Sequence, residues 1–175
     1  MKEFLLLPEI VLRHDAIVVD ATVMYPLMDS CARRAEYRAE LEGVLRAKNV
    51  VTHPLEHAIV DFANPGELSE LMGERVVPYA AFETAKYARL AAAVSKKLLF
   101  SYRGDRVPAQ DAGGLALALL FGTMVSTGFL TTRRDLAGYG EHLAKSLQLD
   151  VTPYMLVPRH GAFLHPDRGK VLQKV

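Results

Sequence analysis

The apolar positions of this chain fall into short β-branched runs separated by longer stretches with helical spacing. Ala16-Ile17-Val18-Val19 has the pattern of a fully buried strand ending in Asp20, and Val50-Val51-Thr52 is a second such run. Residues 31–47 are rich in Ala, Leu, Glu and Arg, with Leu41, Val44 and Leu45 at helical spacing, which predicts a helix that stops at Lys48-Asn49. Pro54 suits the first turn of a helix running to about Ala63, before Asn64-Pro65-Gly66 ends it. A short helix over residues 67–72, a strand at Arg75-Val76-Val77 and a long Ala-rich helix over residues 82–99 are expected next. Ala112 to Leu120 forms a buried helix whose Gly113-Gly114 pair marks tight packing. A strand over residues 128–132, a helix within residues 133–147 and a last strand or edge segment from Val151-Thr152 complete the pattern. Strands alternating with helices predict a Rossmann-like, three-layer α/β/α fold around a central parallel sheet.

At 175 residues, 50% hydrophobic and 23% charged, the chain can bury most of its apolar surface in one domain, expected over residues 1–158 with a basic C-terminal tail over residues 159–175. The 21 Lys and Arg nearly cancel the 20 Asp and Glu, so contact with a polyanion must come from a local basic patch. The single cysteine, Cys31, excludes an intramolecular disulfide and multi-thiolate zinc sites, and suits a reducing, cytoplasmic setting. The apolar runs at Phe4-Leu5-Leu6-Leu7 and at Leu115 to Phe121 are too short to span a membrane, so no membrane partner is expected.

In open parallel sheets, acids placed just after strands converge where ligands bind. Asp20 holds such a place, equally suited to a turn or cap. Asp111 opens an apolar helix, where free N–H groups stabilise negative charge; taken alone it reads as a first-turn acid. His53 and His57 stand four apart, but Pro54 and the lack of a third ligand break the zinc-hydrolase pattern. Tyr87, Leu90, Val94 and Leu98 form a stripe that reads as core, with a homodimer face as its alternative.

Val18-Val19-Asp20-Ala21-Thr22-Val23, Gln110-Asp111-Ala112 leading into Leu115-Ala116-Leu117-Ala118, and Phe129-Leu130-Thr131-Thr132-Arg133-Arg134-Asp135-Leu136 resemble, in order, three motifs of PIN domains. The resemblance implies Mg²⁺ or Mn²⁺ bound on clustered acids and hydrolysis of RNA phosphodiester bonds, with an antitoxin protein as a partner in many members. It makes Asp20, Asp111 and Asp61 metal ligands and gives Thr22 and Thr131 the task of orienting a carboxylate or water. The family's second acid lies on the helix after the second strand; Asp61 fits that place better than Glu56, and both flank a face of Leu55, Ala58, Ile59 and Phe62. Arg133 stands where a fourth acid is frequent, with Asp135 two residues on. Arg133 therefore favours the alternative, a catalytically degenerate PIN-like RNA-binding or scaffold protein; as a pair, Arg133 and Arg134 read either as phosphate contacts or as a solvated helix start. A further alternative is a different Rossmann-like fold whose acids are helix caps.

Overall fold

Four of the β-branched or apolar runs pair in parallel, and each is buried on both sides because successive side chains point to opposite faces. The computed structural model describes residues 4–5, 7–24, 35–63, 66–72, 75, 77, 82–101, 109–156 and 172–174, and at 4–5, 7–8, 35–38, 40, 59–63, 67, 109–110 and 172–174 the backbone alone. The elements run β1 (Phe4–Leu5), α1 (Leu7–Arg13), β2 (Ala16–Val19), α2 (Ala21–Met24), α3 (Ala35–Leu45), β3 (Val50–Thr52) and α4 (Pro54–Ala63). They continue with α5 (Glu67–Met72), α6 (Ala85–Leu98), α7 (Ala109–Phe121), β4 (Thr127–Thr131), α8 (Arg134–Leu147), β5 (Val151–Leu156) and β6 (Leu172–Lys174).

The sheet order is β1-β6-β5-β4-β2-β3. β3, β2, β4 and β5 are mutually parallel, with Ile17 opposite both Val50 and Gly128 and Thr127 opposite Val151. β6 runs antiparallel between β5 and β1. One face, carrying Ile17, Val19, Leu130 and Tyr154, packs with Ile10 of α1, Leu41 and Leu45 of α3 and Leu68 of α5. The other, carrying Val18, Phe129 and Val151, is covered by α6, α7 and α8. This is the three-layer α/β fold, and among the described residues no helix is long and apolar enough to cross a membrane.

The structure departs from the sequence pattern in a few places. Arg75-Val76-Val77 is not a strand at its described residues, Arg75 and Val77. The Arg75 guanidinium is turned onto the carbonyls at the end of α5, Met72 (2.7 Å) and Leu71 (2.6 Å), and onto that of Ala47, which also accepts the Val50 N–H at 3.1 Å, and the Val77 N–H makes a long contact with the Thr52 carbonyl at 3.4 Å. Residues 31–34, the start expected for α3, lie outside the described residues. The stripe on α6 is core: Leu90, Val94 and Leu98 point inward, and Thr84 caps the helix by accepting the Tyr87 N–H at 3.2 Å.

Gly113 and Gly114 lie inside α7, where each costs about 1 kcal/mol relative to Ala. Their reason is the adjoining start of α4: a Cβ on Gly113 would stand 3.1 Å from the His53 ring, and one on Gly114 would meet the Glu56 carboxylate. Gly114→Ala is therefore expected to destabilise the protein by about 1–2 kcal/mol despite its better helix propensity, because the overpacking exceeds the propensity gain. Urea denaturation measures this; a stabilised variant would mean that Glu56 moves aside freely.

Candidate functional site at the sheet's switch point

β2 is flanked by β3 on one side and β4 on the other, so the order of parallel connections reverses between β2 and β4. At such a point the loops after the two strands part and leave a crevice, the usual ligand position in open α/β sheets. Asp20 follows β2, and Thr131 ends β4. Asp20 is 3% exposed, and its Oδ2 accepts from the Thr131 hydroxyl at 2.8 Å and from the Thr22 hydroxyl. Each hydroxyl also accepts a backbone N–H from the turn into α8, Thr22 from Thr132 at 3.2 Å and Thr131 from Arg133 at 3.0 Å. The two threonines thus bind the Asp20 carboxylate to the backbone across the crevice. Burial pushes the Asp20 carboxyl up; the two hydroxyls and the Arg133 charge oppose this, Asp111 adds to it, and the result lies above the ordinary value.

Glu56, in the first turn of α4, is fully buried. Its Oε1 accepts the Gly114 N–H at 3.1 Å, and its Oε2 is buried without a hydrogen-bond partner among the described residues. Burial, followed by the nearby Asp20 charge, drives its carboxyl well above the ordinary range, against the pull of the Gly114 and Ala21 amides. The helical face expected for α4 is corrected in its first turns, where Ala58 is exposed and Glu56 points inward because the helix start packs on the glycine pair of α7; the side chains of Ile59 and Phe62 lie outside the described residues. Asp61 lies on α4 more than a turn beyond Glu56, and its side chain is outside the described residues.

Arg133 gathers the other two acids. Its Nη1 donates to Asp111 Oδ2 at 2.5 Å, while Nε and Nη2 form a fork on Asp135 at 3.1 and 2.7 Å. Partial burial would lower the Arg133 pKa, but its hydrogen bonds to Asp135 and Asp111 outweigh that and hold it charged. Burial raises the Asp135 carboxyl, yet the Arg133 hydrogen bond and charge, with Ser101 and the Leu136 amide, leave it below the ordinary value. The Arg133–Arg134 pair therefore splits. Arg133 turns into the acids, and Arg134 is exposed.

His53 closes the site from behind. It is 4% exposed, its Nδ1 accepts the Leu55 N–H at 3.1 Å, and its Nε2 accordingly donates to the Tyr87 hydroxyl at 2.9 Å. Burial lowers its pKa to about 4, so it stays neutral, and raises Tyr87 to about 12 with help from the Glu56 charge. His57 points elsewhere, to Ser69 at 3.3 Å. The two histidines do not form one ligand pair.

The structure brings Asp20, Glu56 and Thr131 together and sets Asp111 and Asp135 beside them on Arg133. Among the described residues no three His, Cys, Asp or Glu side chains are arranged as a metal cluster. Comparison with known proteins yields no match: no family model, no curated protein and no solved structure is significantly similar to the chain.

Proposed function

We propose that this protein is a divalent-cation-dependent ribonuclease of the PIN type, with Asp20 and Glu56 as its central acids. The observation that carries the reading is a pair of buried carboxylates at the switch point, one with an oxygen that has no hydrogen-bond partner among the described residues. A buried, unpaired carboxylate oxygen is costly unless something else satisfies it, and hard oxygen donors suit Mg²⁺ or Mn²⁺. Asp20 and Glu56 would hold the ion, joined by Asp111 once released from Arg133 and by Asp61 if its side chain reaches the crevice. A bound ion of this kind supplies an activated water and neutralises charge on a phosphate. Thr22 and Thr131 hold the Asp20 oxygens in place, the Gly114 amide does the same for Glu56, and His53 with Tyr87 keeps water from the rear of the acids.

The direct test is cleavage of a labelled single-stranded RNA in Mg²⁺ or Mn²⁺ against an EDTA control, beside a Mn²⁺ thermal-shift titration. Cation-dependent cutting is expected, with a stabilisation that reaches about 2.7 kcal/mol at a hundredfold excess over Kd. No cutting and no shift would move the assignment to the second reading, a PIN-like binding or scaffold protein that does not cut.

That second reading has its own observation, because the Arg133 guanidinium already supplies a positive charge to Asp111 and Asp135. Arg133→Ala is expected to lower stability in EDTA by about 1–2 kcal/mol, a modest loss because the pairs are part-exposed, and to strengthen Mn²⁺ binding about tenfold by freeing Asp111. Isothermal titration measures the affinity. An unchanged Mn²⁺ affinity would show that the guanidinium does not compete for the acids. No observation in the fold assigns an antitoxin or a homodimer face.

A further inference from the structure

An open cleft of about 650 Å³ lies beside the acids, lined by Lys97 of α6 and by Arg134, Asp135, Gly138, Tyr139 and His142 of α8. The α8 residues share one helix face, since positions three, four and eight apart stack along the axis. Lys97 and Arg134 bring positive charge to the cleft from both helices. Asp135 is held by the Arg133 fork, while Arg134 is exposed and makes no ion pair among the described residues. The Lys97 ammonium stands 3.3 Å from His142 Nε2, which places two polar nitrogens on this wall. A Cβ on Gly138 would meet nothing within 4 Å, which leaves the wall open beside the Tyr139 ring.

Cationic donors around a part-exposed aromatic ring are the elements that hold single-stranded nucleic acid, phosphates on the charges and a base on the ring. Asp135 is shared between the cleft and the Arg133 cluster, so a strand seated here continues toward Asp111 and Asp20. We infer that the α6–α8 cleft is the seat of a single-stranded RNA segment flanking the bond at the acids, with Tyr139 stacking a base and Arg134 and Lys97 holding phosphate. This names the substrate contact of the proposed ribonuclease and rests on that reading for its direction, though binding at the cleft does not require cleavage.

The test is fluorescence anisotropy of a labelled, non-cleavable 2′-O-methyl RNA oligomer in EDTA, on the full chain. Arg134→Glu is expected to weaken binding at least tenfold and to reduce the salt slope by about 0.7, the loss of one single-strand phosphate contact. Tyr139→Leu keeps an apolar packing group and removes the ring, and is expected to weaken binding about tenfold; an oligomer lacking bases should not distinguish it from the parent. Arg46→Glu, an equal charge change on an exposed position of the opposite helix layer, should leave binding unchanged. Equal affinities for Arg134→Glu and the parent, or losses as large in Arg46→Glu, would overturn the assignment. The two proposals separate cleanly: cutting by the parent with unaltered binding in the cleft variants sinks the cleft alone, and cleft-dependent binding without cation-dependent cutting sinks the ribonuclease alone.

Discussion

Glu56→Gln is expected to raise the melting temperature at pH 8 in EDTA by about 4–8 °C and, in the same variant, to abolish the response to Mn²⁺. The gain follows from the carboxyl's surroundings: it is fully buried, one oxygen has no hydrogen-bond partner among the described residues, and Asp20 stands nearby. An amide of the same shape cannot ionise, keeps the Gly114 contact and offers Asp20 an N–H at every pH, which amounts to about 2 kcal/mol. The pH dependence carries the sign. Folded Glu56 keeps its proton well above the ordinary value, whereas the unfolded chain loses it near 4.5. Above that pH the unfolded state therefore binds fewer protons, and stability falls as pH rises toward the folded value. The parent should lose stability from pH 5 to pH 8, and Glu56→Gln should lose less, the remaining slope belonging to Asp20, whose carboxyl is shifted the same way. Thermal scans at the two pH values in EDTA measure this. Parallel curves for parent and variant would show that Glu56 is ionised in the fold without cost.

Asp20→Asn is expected to reduce cation-dependent RNA cleavage by at least about a hundredfold, since loss of groups merely supporting metal ligands already costs 10–100-fold. The fold should survive. An Asn carbonyl still accepts one of the two threonine hydroxyls, the backbone bond from residue 20 to the Leu130 carbonyl at 2.9 Å is untouched, and a buried charge is removed. Circular dichroism and a melting scan establish the intact fold, and cleavage in Mn²⁺ supplies the activity. Retained cleavage in a folded Asp20→Asn protein would remove Asp20 from the site and with it the switch-point reading.

The three-layer fold was legible because buried parallel strands leave a strong mark, and Ala16-Ile17-Val18-Val19, Val50-Val51-Thr52 and the run at residues 128–132 each form a strand within one residue of expectation. Arg75-Val76-Val77 misled because a β-branched pair after a helix looks like a strand locally, while the deciding contacts of Arg75 reach carbonyls as far back as Ala47. α1 is too short, at seven residues, for a helical period to show, although Pro8 in its first turn is a helix-start signal. β6 has no apolar run to announce it, and its place depends on β1 and β5. Within the site, Asp20 and Asp111 were visible from their positions at a strand end and a helix start. The family resemblance prefers Asp61 to Glu56 and a helical wheel sets both beside one inward face; the full burial of Glu56 is invisible to either, because the first turn of α4 takes its direction from Gly113 and Gly114 of another helix. The Arg133 pairing with Asp111 joins positions far apart in the chain, and no local pattern carries it.

The two threonine hydroxyls that bridge Asp20 to the turn before α8 also set how this site can change by mutation. Each hydroxyl donates to the carboxylate and accepts a backbone N–H, so a substitution at Thr22 or Thr131 forfeits two bonds beside Asp20 and only the backbone one once Asp20 is lost. The three positions are therefore coupled: losing the carboxylate relaxes the constraint on both threonines without removing it, since the turn before α8 still needs their oxygens as acceptors.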